Sequence, residues 1–108
     1  MKRSISSIHS ISSSHKVGLK RVLLAAEESG CAITQIAVTD LKAGEVVESH
    51  CHVDMQEGFY VMSGELNMVL DGEVEHCKEG DFVWVRCGVR HELRAVTDVR
   101  VMTIGCLA

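Results

Sequence analysis

Short apolar runs, alternating or rich in β-branched residues and separated by glycines, dominate this chain and predict strands rather than helices. The predicted strands are Leu19–Leu24, Ala32–Thr39, Val46–His52, Phe59–Met62, Glu65–Leu70, Val74–Cys77, Phe82–Arg86, Glu92–Val96 and Val99–Ile104. Asp71-Gly72 is typical of a tight hairpin turn, because both residues tolerate positive φ. One helical turn is expected between Ala25 and Ser29. The pattern indicates an all-β sandwich or barrel.

The N-terminal segment differs from the rest, since seven of its first 15 residues are serine. Ile5, Ile8 and Ile11 recur there at intervals of three. The segment is predicted either as a frayed tail or as a strand or turn that lays its isoleucines on a partner subunit. Residues 1–15 are therefore assigned to a serine-rich tail or swapped segment, and residues 16–108 to a single domain.

Composition narrows the classes of function. A net charge of −4 argues against a nucleic-acid-binding surface. No apolar run approaches the roughly 20 residues of a membrane span. Met1-Lys2-Arg3 is followed by serine-interrupted sequence rather than an apolar signal core, so we expect a cytoplasmic protein. The five cysteines are scattered without a C-x-x-C pair, which favours free thiols over disulfides or a thiolate zinc site.

The residues best suited to bind a metal ion are three histidines and one glutamate. Period-two alternation places His50 and His52 on one strand face, about 7 Å apart, with Cys51 on the other. Glu57 follows after a turn, and His91 begins another strand. Three imidazoles and one carboxylate would fill four positions of an octahedron and leave about two open. This donor set suits Fe, Mn, Ni, Co, Cu or Zn, and is too rich in nitrogen for Ca or Mg.

These residues resemble the two motifs of the cupin superfamily. The first motif, G-x5-H-x-H-x3,4-E-x6-G, is matched at every fixed position by Gly44, His50, His52, Glu57 and Gly64. The second motif, G-x5-P-x-G-x2-H-x3-N, is matched by Gly80, Gly88 and His91. Arg86 stands where proline is usual, and Ala95 where asparagine is usual. The resemblance extends from Ala32 to Ile104.

The resemblance implies a small double-stranded β-helix, or jelly-roll barrel, with a divalent transition metal held in its mouth. The implied metal ligands are His50, His52, Glu57 and His91. The resemblance also implies an RmlC-like homodimer. Exposed edge strands and the limited burial of so small a barrel favour that assembly.

Alternation from the ligands predicts the walls of a substrate pocket. Val46 and Glu48 would share the face of His50, Phe59 and Val61 that of Glu57, and Leu93 and Ala95 that of His91. Glu48 is thereby the candidate catalytic acid or base. Arg86 and Arg90 are either guanidinium donors to a substrate carboxylate or phosphate, or surface charges paired with Glu79, Asp81 or Glu92.

Three functions compete at this point. The first is a metal-dependent enzyme acting on a small polar or anionic metabolite, of the dioxygenase, isomerase, decarboxylase or lyase type. The second is a non-catalytic module that binds or senses a small molecule. The third is an empty barrel whose histidines and glutamate only bond to one another.

Overall fold

The computed structural model describes residues 1–13 and 15–108 as an all-β jelly roll. Its strands are β1 (Ile11–Ser12), β2 (Leu19–Ala25), β3 (Ile33–Leu41), β4 (Val46–His50), β5 (Met55–Ser63), β6 (Glu65–Leu70), β7 (Glu73–Lys78), β8 (Phe82–Val85), β9 (His91–Ala95) and β10 (Val99–Leu107). A 3₁₀ turn spans Ile5–Ser7, and helix α1 spans Ala26–Ser29. Every predicted strand is present, Glu65–Leu70 with the predicted ends and the others with shifted ends, and the predicted helical turn is confirmed. Strand β1 lies in the N-terminal segment, for which a strand was one of the predicted alternatives.

Two antiparallel sheets enclose the interior of the protein. One has the strand order β1-β2-β3-β10-β5-β8 and the other the order β4-β9-β6-β7. The hairpin between β6 and β7 closes through the pair Leu70 and Glu73, so its loop has two residues. Asp71 and Gly72 both adopt positive φ there, at 46° and 85°. The predicted hairpin turn is therefore confirmed, and its twist matches that of the flanking strands.

The core lies between the two sheets and follows the alternation of the strands. In β9, His91, Leu93 and Ala95 are buried, whereas Arg94 is exposed. The central apolar cluster comprises Leu41, Val47, Phe59, Val61, Leu66, Met68, Cys77, Val85, Leu93, Ala95, Val99 and Val101. Most of these side chains fill the barrel away from its mouth, so the interior there is packed rather than hollow, while the others border the mouth.

The N-terminal segment lies against its own chain. Strand β1 pairs antiparallel with β2, joining Ile11 to Lys20 and Ser12 to Leu19. Ile5 and Ile8 are half-buried, whereas Ile11 remains 52% exposed. Ser14, part of the predicted tail, lies outside the described residues. His15, three residues beyond β1, lies at the barrel mouth.

The cysteines and the helices of the described residues bear on two of the sequence-based expectations. All five cysteines are free thiols, which agrees with the prediction from their spacing. Within the described ranges, the structure has no helix with the length and apolar character that crossing a bilayer requires.

An ion-pair network ties three neighbouring strands together outside the core. Asp40 of β3 accepts hydrogen bonds from Arg100 of β10 at 2.7 and 3.0 Å and from Arg21 of β2 at 3.1 Å. The hydrogen bond and charge of Arg100 lower the pKa of the Asp40 carboxyl, outweighing the opposing effect of burial. A depressed carboxyl pKa stabilises the fold above the unfolded-state pKa of about 4, and this stabilisation is lost as pH falls through the folded-state value.

We expect Asp40→Asn to lower the free energy of unfolding at pH 7 by about 1 kcal/mol, because the pair is partly exposed to solvent. As the pH falls below 5, the free energy of unfolding of the variant should also decrease less than that of the parent protein. Urea denaturation at several pH values checks both results. Asp54→Asn, at an exposed position, is the matched control. An equal decrease in the free energy of unfolding in both variants would contradict the stabilising role of the Asp40 ion pairs.

Candidate metal centre

Four side chains from separate segments converge at one mouth of the barrel. His50, His52, Glu57 and His91, called the ligand cluster from here on, each offer one donor atom, and these atoms lie within 4.8 Å of one another. Oε1 of Glu57 lies 2.9 Å from Nε2 of His52 and 3.2 Å from Nε2 of His91. The ring centroids of His50 and His91 are 4.2 Å apart. The sequence prediction placed these four residues at one site, and the structure brings them together.

Backbone carbonyls fix the orientation of two of the imidazoles. Nδ1 of His50 lies 2.8 Å from the carbonyl oxygen of Glu48, and Nδ1 of His91 lies 3.0 Å from that of Val89. A carbonyl only accepts, so each Nδ1 carries a proton and each Nε2 is the nitrogen available to an ion. This is the arrangement that histidine ligands adopt in metalloproteins. In His91, Nε2 also bonds to Oε1 of Glu57, so an ion would have to displace the proton between them.

Interactions within the ligand cluster favour a negative charge on Glu57 and a positive charge on His91. Burial alone would raise the pKa of Glu57, but the hydrogen bond from His91 and the nearby His52 outweigh it and lower the pKa. Burial alone would lower the pKa of His91, but its bonds to Glu57 and Val89 raise it. Burial is the main cause of the lowered pKa of His50. The buried imidazole of His91 is only 1% exposed, so Glu57 supplies the negative charge that such a site needs.

The loop that precedes His91 is held by hydrogen bonds to two other segments. The Gly88 amide donates to the carbonyl oxygen of His52 at 2.7 Å. Asp71 of the β6–β7 turn accepts from the Arg90 amide at 2.9 Å, and its own amide donates to the Arg90 carbonyl at 2.8 Å. These bonds order the loop although Arg86 occupies the position where the cupin motif has proline.

The prediction that Val46 and Glu48 share the face of His50 is wrong. Strand β4 pairs Val47 with Leu93 and His50 with His91, and its register shifts in between. An extra residue on β4 forms a bulge, which reverses the alternation across that stretch. Val47 therefore shares the inner face with His50, and Glu48 is exposed. The side chain of Glu48 lies outside the cavity, away from the position expected of a catalytic acid or base.

The ligand cluster opens into a cavity of about 180 Å³. Phe59 and Leu93 line it, at the positions predicted for the pocket. Val61 and Ala95 share the predicted faces but do not line the cavity, because each lies two residues deeper along its strand. They are 1% and 6% exposed and fill the packed interior of the barrel.

Arg86 and Arg90 do not line this cavity. Both residues are exposed, and Arg90 donates through Nη2 to the carbonyl oxygen of Ser49 at 3.1 Å. Arg94, rather than either of them, pairs with Glu92. The predicted role of Arg86 and Arg90 as pocket guanidinium groups is therefore not supported by their positions.

A polar wall opposite the ligand cluster was not predicted from the sequence. Lys20, Gln35, Thr39 and Thr103, from β2, β3 and β10, line the cavity. Burial lowers the pKa of Lys20, and the charge of Glu57 partly offsets that effect. The available signal was the presence of two polar residues, Gln35 and Thr39, on one face of an otherwise apolar strand.

His15, which the sequence pattern indicated only as a surface residue, also belongs to this site. It lines the cavity, and its ring centroid lies 4.2 Å from that of His50. No sequence pattern links the two residues, because the contact depends on the pairing of β1 with β2.

A larger and more open depression of about 590 Å³ lies next to Asp40, Lys42, Asp98 and Arg100. Its central charges, Asp40 and Arg100, are already paired with one another. Chemically, the smaller cavity is the better candidate site, because its donors converge and remain available.

Comparison with known proteins agrees with this geometry. The sequence model of the family described as the cupin domain matches residues 37–105. No curated protein matches the chain. Among solved structures, a predicted oxalate decarboxylase from Thermotoga maritima is 23% identical, with all of both chains covered and a TM-score of 0.92.

Two other solved structures extend the comparison. An ectoine synthase from P. lautus is 20% identical over 98% of this chain and 77% of that one, with a TM-score of 0.84. An RmlC-like cupin from Shewanella frigidimarina is 17% identical over 98% and 89% of the two chains, with a TM-score of 0.80. At these identities the likeness shows the fold, and the reactions of these proteins are their own.

Proposed function

Because this chain belongs to the cupin family, we propose that its ligand cluster binds a divalent transition metal and that the protein is a metal-dependent enzyme acting on a small polar or anionic metabolite. The candidate ions are Fe, Mn, Ni, Co, Cu and Zn, because the cluster combines imidazole nitrogens with a single carboxylate.

The observation that carries this proposal is the convergence of the four donor atoms within 4.8 Å at the opening of a cavity. The donor set fits an ion, since in both oriented imidazoles Nδ1 bonds to a backbone carbonyl and Nε2 is left to coordinate the ion once it is deprotonated. When bound, such an ion would polarise a carbonyl or carboxylate or activate dioxygen, which is the chemistry of dioxygenases, isomerases, decarboxylases and lyases. Apolar walls such as Phe59 and Leu93 partly shield the cavity from water, and its volume favours a small molecule as ligand.

Metal loading followed by a turnover screen tests the proposal. We expect purified protein incubated with Mn²⁺, Fe²⁺ or Zn²⁺ and then desalted to retain about one ion per chain by elemental analysis. The loaded protein is then screened by NMR for depletion of oxo acids, phosphosugars and thiols. Substoichiometric metal after loading with every ion would contradict the proposal and leave a purely structural barrel.

The same screen separates an enzyme from a binding module. Metal retention without turnover, together with ligand-induced increases in melting temperature, would identify a non-catalytic cupin that binds or senses a small molecule. Turnover that disappears on removal of the metal by a chelator and returns on reloading would establish the enzyme.

A further inference from the structure

Lys20 is a basic side chain in the wall of the cavity. Its strand, β2, belongs to the larger sheet, and Lys20 pairs across it with Thr39, which also lines the cavity. Lys20 is half-buried. Among the described residues, no carboxylate lies within salt-bridge distance of its ammonium group. A half-buried ammonium without an ion-pair partner is costly unless a ligand or water completes its hydrogen bonds.

The charge balance of the cavity favours an anion. A divalent ion held by the ligand cluster would retain one net positive charge after pairing with Glu57. Lys20 adds a second positive charge in a space that apolar side chains partly shield from water. Charges in such an environment interact more strongly than in bulk solvent, so a small anion placed between them is stabilised from both sides.

The remaining polar groups define the chemistry of that anion further. Thr39, Thr103 and Gln35 provide hydroxyl and amide groups along the wall that carries Lys20. These groups both donate and accept hydrogen bonds, which suits a carboxylate next to an oxo, hydroxyl or second carboxylate group. A volume of about 180 Å³ is the space of about six water molecules. A short carboxylic acid fits in that volume.

We propose that Lys20 binds the carboxylate of a short oxo acid or dicarboxylate and thereby sets the substrate class of the cavity. This inference rests on the proposed function, because it takes the ligand cluster to hold a metal. Lys20 acts through its charge and its hydrogen bonds, by orienting one end of the ligand while the other end faces the ligand cluster.

The test is calorimetric titration of the Mn²⁺-loaded protein with pyruvate, with malonate and with the uncharged malonamide. We expect both anions to bind the parent protein. Lys20→Met, which keeps the length of the side chain, should weaken anion binding by about 10- to 100-fold, whereas malonamide binding should change little. Lys20→Arg, which keeps the charge, should retain most of the affinity. Melting temperatures verify that each variant folds, and Lys78→Met, at an exposed position on β7, is the control.

The outcomes distinguish this inference from the proposed function. Unchanged anion affinity in Lys20→Met, with Mn²⁺ still bound, would overturn the role of Lys20 and leave the metal site intact. Failure of both anions to bind the Mn²⁺-loaded parent protein would overturn it as well. If the parent protein retains no metal, the proposed function and this inference fall together. A selective loss of anion affinity in Lys20→Met, without weaker Mn²⁺ binding, is the supporting result.

Discussion

Replacing His52 with alanine is expected to lower the affinity for Mn²⁺ or Zn²⁺ by at least about a hundredfold, more than the loss of an outer-shell partner causes. Nε2 of His52 lies 2.9 Å from Oε1 of Glu57, so removing the imidazole deletes one of the four donor atoms of the ligand cluster. Its side chain is 32% exposed and its loss leaves no core cavity. The free energy of unfolding of the metal-free protein should therefore change by about 1 kcal/mol or less.

Competition with a chelator of known affinity measures this effect, and two further variants bracket it. His76→Ala is the matched control, because His76 is exposed on β7 and bonds only to Asn67 and Glu65 among the described residues. It should bind metal like the parent protein. His91→Ala should lose both metal affinity and stability, since His91 is 1% exposed. Equal metal affinities for His52→Ala and His76→Ala would refute the assignment of the ligand cluster.

The strands and the common face of His50 and His52 could be predicted because both depend on local patterns. Alternation and glycine turns are properties of neighbouring residues, so they indicate strands before any tertiary contact is known. The ligands follow the same logic, since the spacing of His50 and His52 is read within one segment. The resemblance to the cupin motifs then supplied Glu57 and His91 as partners.

The faces of strand β4 could not be predicted from alternation alone. A bulge adds one residue to one strand, and its cause lies in the pairing with β9 rather than in the sequence of β4. One inserted residue exchanges the inner and outer faces of everything beyond it. This single event explains why Val47 lies beside His50 inside the barrel and why Glu48 is exposed.

The depth of the pocket and the composition of its polar wall could not be predicted from the sequence, because both depend on tertiary contacts. Phe59 and Val61 point to the same side of β5, yet only Phe59 reaches the cavity. How far the packed core extends depends on side chains from both sheets. The wall that includes Lys20 and Thr39 forms only when β2 pairs with β3, and the approach of His15 depends on β1.

Gly64→Ala is expected to destabilise the protein by about 3 to 5 kcal/mol, combining left-handed backbone strain with a steric clash. Gly64 lies between β5 and β6 with φ at 83°. A Cβ there would lie 2.1 Å from the carbonyl oxygen of Asp98 and 2.9 Å from Cα of Val99. Both contacts are with backbone atoms, so no side-chain rotation relieves them. Strand β10 would have to move away from the turn between β5 and β6.

Gly72→Ala separates the two contributions. Gly72 has nearly the same φ, at 85°, but a Cβ there would meet nothing within 4 Å. Its replacement by alanine adds only conformational strain, so we expect the free energy of unfolding to fall by about 1 kcal/mol. Urea denaturation of the metal-free variants measures both. Equal losses at the two glycines would show that Gly64 is required only for its backbone conformation. A larger loss at Gly64 would show that the close approach of Asp98 helps join β10 to the barrel.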